Sequence, residues 1–334
     1  MKKVLAILML CASMVLMPIP TATAAVTSSW VVIDADTGRI LDGDNPHDQL
    51  PIASLTKIWT ALTFIESGAA GEEIEISQRA ASAEGSSIYL EPGSTVPTKD
   101  VLHGLMLRSG NDAAMALAEH AGGSEEGFVH LMNEQADLYG LKDTHFTNPS
   151  GLHDEQHLSS AYDTAMMLYF GMKNKEFKKI ASTKQYTRTG KQPGVWENKH
   201  RLITSDTDAV AGKTGFTKAA GRTLATYFEK NGKKVIVVTL NSGNDWNIHK
   251  SLSAKVFQEY SVVTVAKKGE YSVLPGVTAK LKKPIKVLLK PEEKSKVSSV
   301  MLIPRDETQS SLGQWTVSLD LEPLVTAEVE IKRK

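Results

Sequence analysis

Pro51-Ile52-Ala53-Ser54-Leu55-Thr56-Lys57 is the stretch on which the reading of this chain turns. Ser54 and Lys57 stand three residues apart. On a helix they share one face, so the hydroxyl and the amine can meet. Ile58, Leu62 and Ile65 recur behind them at helical spacing, and Gly68 is a good stop, so a helix is predicted from near Ser54. A serine hydroxyl is a weak nucleophile and needs a neighbouring base. A lysine can be that base only if burial or another cation lowers its pKa. Ser-x-x-Lys alone carries little, because a chain this long holds about one by chance at average residue usage.

Two further motifs change that weighing. Ser109-Gly110-Asn111 offers a hydroxyl and an amide that could relay a proton and hold a carbonyl. By itself it is a turn followed by a helix cap. Lys213-Thr214-Gly215, between Gly212 and Phe216, offers a cation and a hydroxyl to a carboxylate at a strand edge. Its glycine removes the side chain that would block a substrate from lying against the strand. Lys213 also supplies the second cation that would depress the pKa of Lys57. Alone, this is an edge strand with a surface lysine. The three together, in this order, resemble the Ser-x-x-Lys, Ser-Asp-Asn type and Lys-Thr-Gly signature of class A β-lactamases and penicillin-binding proteins.

Beyond the three motifs, Gly85-Ser86-Ser87-Ile88-Tyr89-Leu90, Met132-Asn133, Thr147-Asn148-Pro149-Ser150-Gly151-Leu152 and Ala161-Tyr162-Asp163 resemble the low-molecular-mass penicillin-binding proteins known as D-alanyl-D-alanine carboxypeptidases. Leu107-Arg108-Ser109-Gly110-Asn111-Asp112 and Asn244-Asp245-Trp246 make the Bacillus-type members used in spore cortex formation the nearest likeness. The resemblance covers essentially all of 25–261. It implies an α+β, penicillin-binding transpeptidase/β-lactamase-like fold, an antiparallel sheet plus a helical subdomain, with a small all-β C-terminal domain. It also implies that Ser54 is acylated and Lys57 takes its proton, and that Ser109 and Asn111 complete the proton path and hold the substrate backbone. Lys213 and Thr214 would bind the terminal carboxylate. The N–H groups of Ser54 and Phe216 would form an oxyanion hole. The partners implied are peptidoglycan stem peptides and β-lactam antibiotics, with no metal or organic cofactor.

Two departures stand out. Some family members carry an arginine after the strand that follows Lys-Thr-Gly. Here that stretch is Asn241-Ser242-Gly243-Asn244-Asp245, so carboxylate binding is expected to rest on Lys213, Thr214 and Thr217, beside Gly215 and Phe216. Many members also end in an amphipathic anchor helix. Here the chain stops at Lys334 just after a predicted strand, so no membrane anchor is expected.

Alternatives have their own residues. A class A β-lactamase needs a Glu-x-x-Leu-Asn segment to hydrolyse the acyl-enzyme, and none lies between Asn111 and Lys213. His153-Asp154-Glu155-Gln156-His157 mimics metal-ligand spacing. The usual zinc helix needs glutamate directly after the first histidine, and this segment follows a loop signal. A non-catalytic wall-binding or penicillin-sensing protein would not need both Lys57 and Ser109.

The rest of the chain sets the compartment and the domains. Lys2 and Lys3, an apolar run from Val4 to Leu16, and Ala22-Thr23-Ala24 read as a signal peptide over 1–24, which implies export to the wall space or the medium. The only cysteine, Cys11, lies inside it, after a leucine that a lipoprotein signal would not use. The mature chain therefore has no disulfide to lean on. It carries 36 basic and 38 acidic residues, a balance that gives no reason to expect nucleic acid as a partner. A serine carboxypeptidase domain is expected over 25–261.

Within it, Trp30–Asp34 and Arg39–Leu41 read as a hairpin, and Asp112–Ala121, Glu125–Tyr139, Ser160–Gly171 and His249–Tyr260 as helices. Leu224–Phe228 and Val235–Leu240 read as paired strands across Asn231-Gly232. A β-rich domain is expected over 262–334, with a hairpin of alternating residues, Trp315 to Leu321 and Val325 to Ile331, turning near Pro323. That segment holds 13 basic and 9 acidic residues, a mild excess that suits either a solvated face or contact with anionic wall polymers.

Overall fold

The structure, a computed structural model, describes residues 28–69, 71, 73–190, 193–205, 208–305 and 311–333. The predicted signal peptide over 1–24, with Cys11, lies outside the described residues.

Strands β1 (Ser29–Asp34) and β2 (Ile40–Asp44) form the predicted hairpin. Gly38 at its turn has φ +82°, where a Cβ would be strained. The chain then leaves the sheet for a helical insertion. Helix α1 (Thr56–Glu66) comes first, followed by β3 (Glu73–Glu75), which pairs with β4 (Thr95–Pro97). Helices α2 (Asn111–Gly122), α3 (Glu125–Tyr139) and α4 (Ala161–Lys173) follow, and then a small ribbon of β5 (Gln185–Thr187) and β6 (Val195–Glu197). Ser124 and Ser160 cap α3 and α4 by accepting from Gly127 N–H and Asp163 N–H, as N-cap serines do. The chain returns as β7 (Ala209–Thr217), β8 (Gly221–Lys230) and β9 (Lys233–Leu240), and closes with α5 (Asp245–Glu259).

The antiparallel sheet runs β2-β1-β9-β8-β7, so strands from both ends of the segment share one sheet. Strand β9 is a continuous apolar run because both its faces are covered. Ile236, Val238 and Leu240 pack with Ile58, Trp59 and Leu168 of the helical insertion. Val235 and Val237 face the other way, against Val256 and Tyr260 at the end of α5. Trp59 is fully buried and donates from Nε1 to Met132 O at 2.9 Å, which ties α1 to α3.

After Tyr260 the chain is β-rich. Strands β10 (Ser261–Ala266) and β13 (Ile285–Leu289) pair with each other. A second sheet runs β11 (Gly269–Leu274), β12 (Val277–Leu281), β16 (Glu322–Arg333), β15 (Leu312–Leu319), β14 (Val297–Leu302). Arg39 reaches this part of the chain and pairs with Glu293. The architecture is thus α+β with a C-terminal all-β part. Among the described residues no helix is long and apolar enough to cross a membrane.

Three local expectations need correction. The predicted helix does not begin at Ser54: a 3-10 turn over Ala53–Leu55 precedes α1, and Ala53 has φ +49°. The C-terminal hairpin turns at Asp320-Leu321, both at positive φ, rather than near Pro323. Such a two-residue loop matches strand twist, whereas Pro323 sits beside a bulge where no ladder N–H is needed. Leu321 is consequently 86% exposed rather than facing the core. Helix α5 starts at Asp245, four residues before His249.

Candidate active site

Three segments far apart in sequence meet where the sheet edge touches the helical insertion. Ser54 sits in the 3-10 turn, and Lys57 enters on the first turn of α1, fully buried. Lys57 Nζ lies 3.1 Å from Ser54 Oγ, 2.7 Å from Asn111 Oδ1 and 2.5 Å from Ser150 O. Burial pushes the Lys57 pKa well below its ordinary value, and the cation of Lys213 adds to that. The sequence left burial or a second cation open as the cause and offered Lys213 as that cation; in the structure desolvation is the larger cause. A neutral amine suits these contacts well. Its two N–H groups serve Asn111 and Ser150, and its lone pair is left for the hydroxyl of Ser54. The arrangement can deprotonate a serine.

Ser109 follows a π-helical turn over Gly104–Arg108 and has φ +66°, a conformation that costs energy in a residue with a side chain. This bend aims its hydroxyl at Lys213, whose Nζ donates to Ser109 Oγ at 2.9 Å. Lys213 is buried on β7, and desolvation lowers its pKa to about 7, with the charge of Lys199 also contributing. Asn111 is held from three sides. Its N–H donates to Ser86 O at 2.6 Å, its Nδ2 donates to Glu84 O at 2.5 Å, and its Oδ1 receives Lys57.

Gly215 has a packing reason beyond leaving room for a substrate. A Cβ there would stand 2.4 Å from Thr223 Oγ1 and 3.0 Å from Ser54 N, so only glycine lets β7 lie against the serine turn. Gly151 is likewise confined: a Cβ would lie 1.9 Å from Ala53 O.

These residues open into a cleft of about 370 Å³. Ser54, Ser109, Thr214, Gly215 and Phe216 line it, and the ring of Phe216 is exposed at its rim. Thr217 is not among the lining residues; its hydroxyl accepts from Ala220 N–H at 3.0 Å and closes the β7–β8 turn. In its place the structure brings in Arg222, directly across from Phe216 on β8. Asp245 holds that guanidinium by contacts of 2.9 and 3.1 Å, and Trp246 lies beside it. Lys199 and Arg201 add two further cations to the wall. A larger cleft, about 670 Å³ near Phe228 and Phe257, lies at the far end of β8 and holds none of these groups.

Sequence reasoning missed Arg222, Lys199 and the carbonyl of Ser150. The signal for Arg222 was strand register: it falls opposite Phe216 once the β7–β8 hairpin is drawn. The zinc-like pair separates in function. His157 is buried, with Nε2 at 2.8 Å from Thr56 Oγ1 and Nδ1 accepting from Thr147 N–H at 3.1 Å, so it braces the serine turn. Among the described residues no group of three potential ligands could hold a metal ion.

Fold and site together define a penicillin-binding-protein architecture with a serine and two lysines at its centre. The chain is similar to penicillin binding protein 5 from Haemophilus influenzae, with TM-score 0.74 and 25% identity over 92% of this chain and 96% of that one. Penicillin binding protein 6B from Escherichia coli gives TM-score 0.70 at 26% identity, over 89% of this chain and 93% of that one. Residues 18–244 match the D-alanyl-D-alanine carboxypeptidase family, and the chain belongs to it. D-alanyl-D-alanine carboxypeptidase DacF of Bacillus subtilis is 39% identical over 221 residues, which are 64% of this chain and 57% of that one. DacD of Escherichia coli is 33% identical over 227 residues, 64% of this chain and 58% of that one. The chain therefore spans under two thirds of the length of these two relatives.

Proposed function

We propose that the protein is a serine-type D-Ala-D-Ala carboxypeptidase that removes the terminal D-alanine from peptidoglycan pentapeptide stems and is inhibited by penicillin. The observation that carries this is the convergence of Ser54, Asn111 and the Ser150 carbonyl on the buried amine of Lys57. Ser54 Oγ attacks the carbonyl of the penultimate D-alanine while Lys57 takes its proton. The N–H groups of Ser54 and Phe216 hold the oxyanion, with about 3 kcal/mol at stake per donor. The C–N bond breaks as the proton taken by Lys57 is passed on through Ser109, which Lys213 hydrogen-bonds, to the departing nitrogen. Water then hydrolyses the ester and regenerates Ser54. Lys213, Thr214 and Arg222 grip the terminal carboxylate.

The β-lactamase alternative needs a carboxylate to activate that water. The only carboxylate among the residues that line the cleft, Asp245, is engaged by Arg222. Slow deacylation and lasting inhibition follow. The predicted signal peptide supports export to the wall space. The likeness to Bacillus-type members supports work on spore cortex, which stem analysis of cortex from a deletion strain would test.

The test is intact mass after mixing the mature protein with penicillin, beside Ser54→Ala, together with an assay of D-alanine release. One stable adduct on the wild type alone, with D-alanine released from pentapeptide, is expected. Rapid turnover of a chromogenic β-lactam would replace this reading with a β-lactamase. An adduct without D-alanine release would make the protein a sensor.

A further inference from the structure

Lys199, Arg201 and Arg222 line the cleft that Ser54 opens into, and Lys213 is buried beside it. The buried ring of His200, which is not part of the wall, reaches each of these four cations through a single residue. In the chain it stands between Lys199 and Arg201. In space it lies over Gly212, the residue before Lys213: a Cβ there would be 2.8 Å from its Nε2 and 3.0 Å from its Cδ2. Trp246, which lines the cleft beside Arg222, meets the ring in a T-shaped contact at 5.2 Å.

The ring is held in one state. Burial lowers its pKa to about 3, so it is neutral and carries one proton. Nε2 lies 3.2 Å from Ala225 O and 3.0 Å from Thr226 Oγ1. A carbonyl only accepts, so the proton is on Nε2. Nδ1 is buried with no hydrogen-bond partner among the described residues. Thr226 Oγ1 accepts from His200 and donates to His249 Nδ1 at 2.8 Å, and His249 Nε2–H donates to Thr239 Oγ1 at 3.1 Å. All four side chains are buried, and a buried polar network that is bonded through rigidifies what it joins. Here it joins His200 to β8, β9 and α5. Ala225 stands opposite Lys213 in the β7–β8 register, so the ring grips β8 at the level of Lys213. The residues just before it are tied to the helical insertion. Asn198 Nδ2 donates to Thr183 O at 3.0 Å, and Lys199 N–H donates to Leu107 O at 3.1 Å. Segment 198–201 therefore bridges the insertion and the sheet, and His200 anchors it on the sheet.

We propose that His200 is a positioning residue for the grip on the terminal carboxylate: its Nε2–H, bound to Ala225 O and Thr226 Oγ1, sets where Lys199, Arg201, Lys213 and the Trp246–Arg222 pair stand. It touches no substrate itself. This rests on the carboxypeptidase reading and deepens it. The carboxylate is present in the ground state and the transition state alike. Loosening the cations around it therefore weakens the binding of both, which raises KM and leaves kcat in place.

Two amide variants of the full chain test this through D-alanine release from a pentapeptide. His200→Gln puts an N–H group where Nε2–H stands. His200→Asn puts its amide nearer the position of Nδ1, which has nothing to bond. Circular dichroism reports the fold. His200→Gln should keep KM within about twofold of the wild type. His200→Asn should raise KM about tenfold, the effect of losing one good hydrogen bond, with kcat within about twofold. In the wild type the nitrogen NMR shifts of this imidazole, assigned by their loss in His200→Gln, should report the Nε2–H tautomer, a reading that holds even if His200→Asn does not fold. Equal KM values in the two variants, a fall in kcat at unchanged KM, or a proton on Nδ1 would overturn the positioning role and leave the carboxypeptidase standing. No D-alanine release by the wild type would overturn the function and the positioning role with it.

Discussion

Asp245, only 2% exposed, grips Arg222 through two contacts of 2.9 and 3.1 Å and so fixes a guanidinium in the wall of the cleft that Ser54 lines. The chain lacks the arginine that some relatives carry after the strand behind Lys-Thr-Gly, and Arg222 reaches the same cleft from the neighbouring strand. Arg222→Ala should lower kcat/KM for D-alanine release by about 10- to 100-fold, the loss of a charged hydrogen bond of ~1.5–3 kcal/mol. Asp245→Asn should lower it less, by unclamping the same group. A value near wild type in both would place carboxylate binding on Lys213 and Thr214 alone.

Ser54→Ala should abolish the penicillin adduct, and Lys57→Ala should nearly do so with the fold retained. The second effect follows from the lone base that the structure places at the serine. Circular dichroism and intact mass read the two properties separately. Acylation of Lys57→Ala near the wild-type rate would show that another group takes the proton.

Lys199→Met should move the alkaline limb of kcat/KM upward. Lys213 has its pKa lowered to about 7 chiefly by burial and then by Lys199. Without that neighbouring charge the protonated form is less penalised, so Lys213 keeps its charge, and its hold on a carboxylate, to higher pH. The overall rate should drop as well, because a cation leaves the cleft. A pH profile with an unmoved limb would show that Lys213 does not set it.

Gly215→Ala should cost more activity than stability. The added methyl meets Thr223 Oγ1 at 2.4 Å and Ser54 N at 3.0 Å, so β7 must shift from the serine turn by a fraction of an ångström. Misplacing reacting groups by about 1 Å costs on the order of 100-fold. Acylation kinetics together with the thermal midpoint will show it; an unchanged acylation rate would mean that the oxyanion donors do not depend on this contact.

Acid should destabilise the protein through its buried histidines. Burial lowers the pKa of His157 to about 4 and of His200 to about 3, and lowers that of His249 well below the usual value. Below pH 6.5 the unfolded chain binds protons that the folded chain refuses, so stability present above that pH is lost as pH falls toward 4. Each unit of depression corresponds to about 1.4 kcal/mol. The urea midpoint should therefore fall between pH 7 and pH 5, and a flat profile would contradict the buried neutral rings.

Much of the site was legible because its members belong to short motifs with local geometry. Ser54 and Lys57 meet because three residues make about one turn, and Lys213, Thr214 and Gly215 follow one another along one strand edge. Helices α3 and α4 were readable in the sequence, and the caps that start them are local, Ser124 and Ser160 each accepting from an N–H three residues on. The 3-10 turn at Ala53 was not readable. It is enforced from elsewhere: Thr56 Oγ1 donates to Ala53 O at 2.8 Å and is itself held by His157, a hundred residues on. The turn at Asp320-Leu321 was misplaced because Pro323 is the stronger local signal, while the bulge that accommodates it depends on cross-strand register.

The sequence by itself determined the candidate residues at the centre, the family resemblance, the order of the three motifs and the class of fold. Tertiary structure alone decided that burial, more than Lys213, lowers the pKa of Lys57, that Ser150 lends a carbonyl, and that Arg222 lines the cleft where Thr217 was expected. It also decided that Asp112 gathers Ser87, Ile88 N–H and Leu90 N–H around Tyr89, which stands exposed at φ +61°. Motif spacing encodes what one turn or one strand can place. Desolvation, strand register and contacts across a hundred residues depend on which surfaces meet when the whole chain packs.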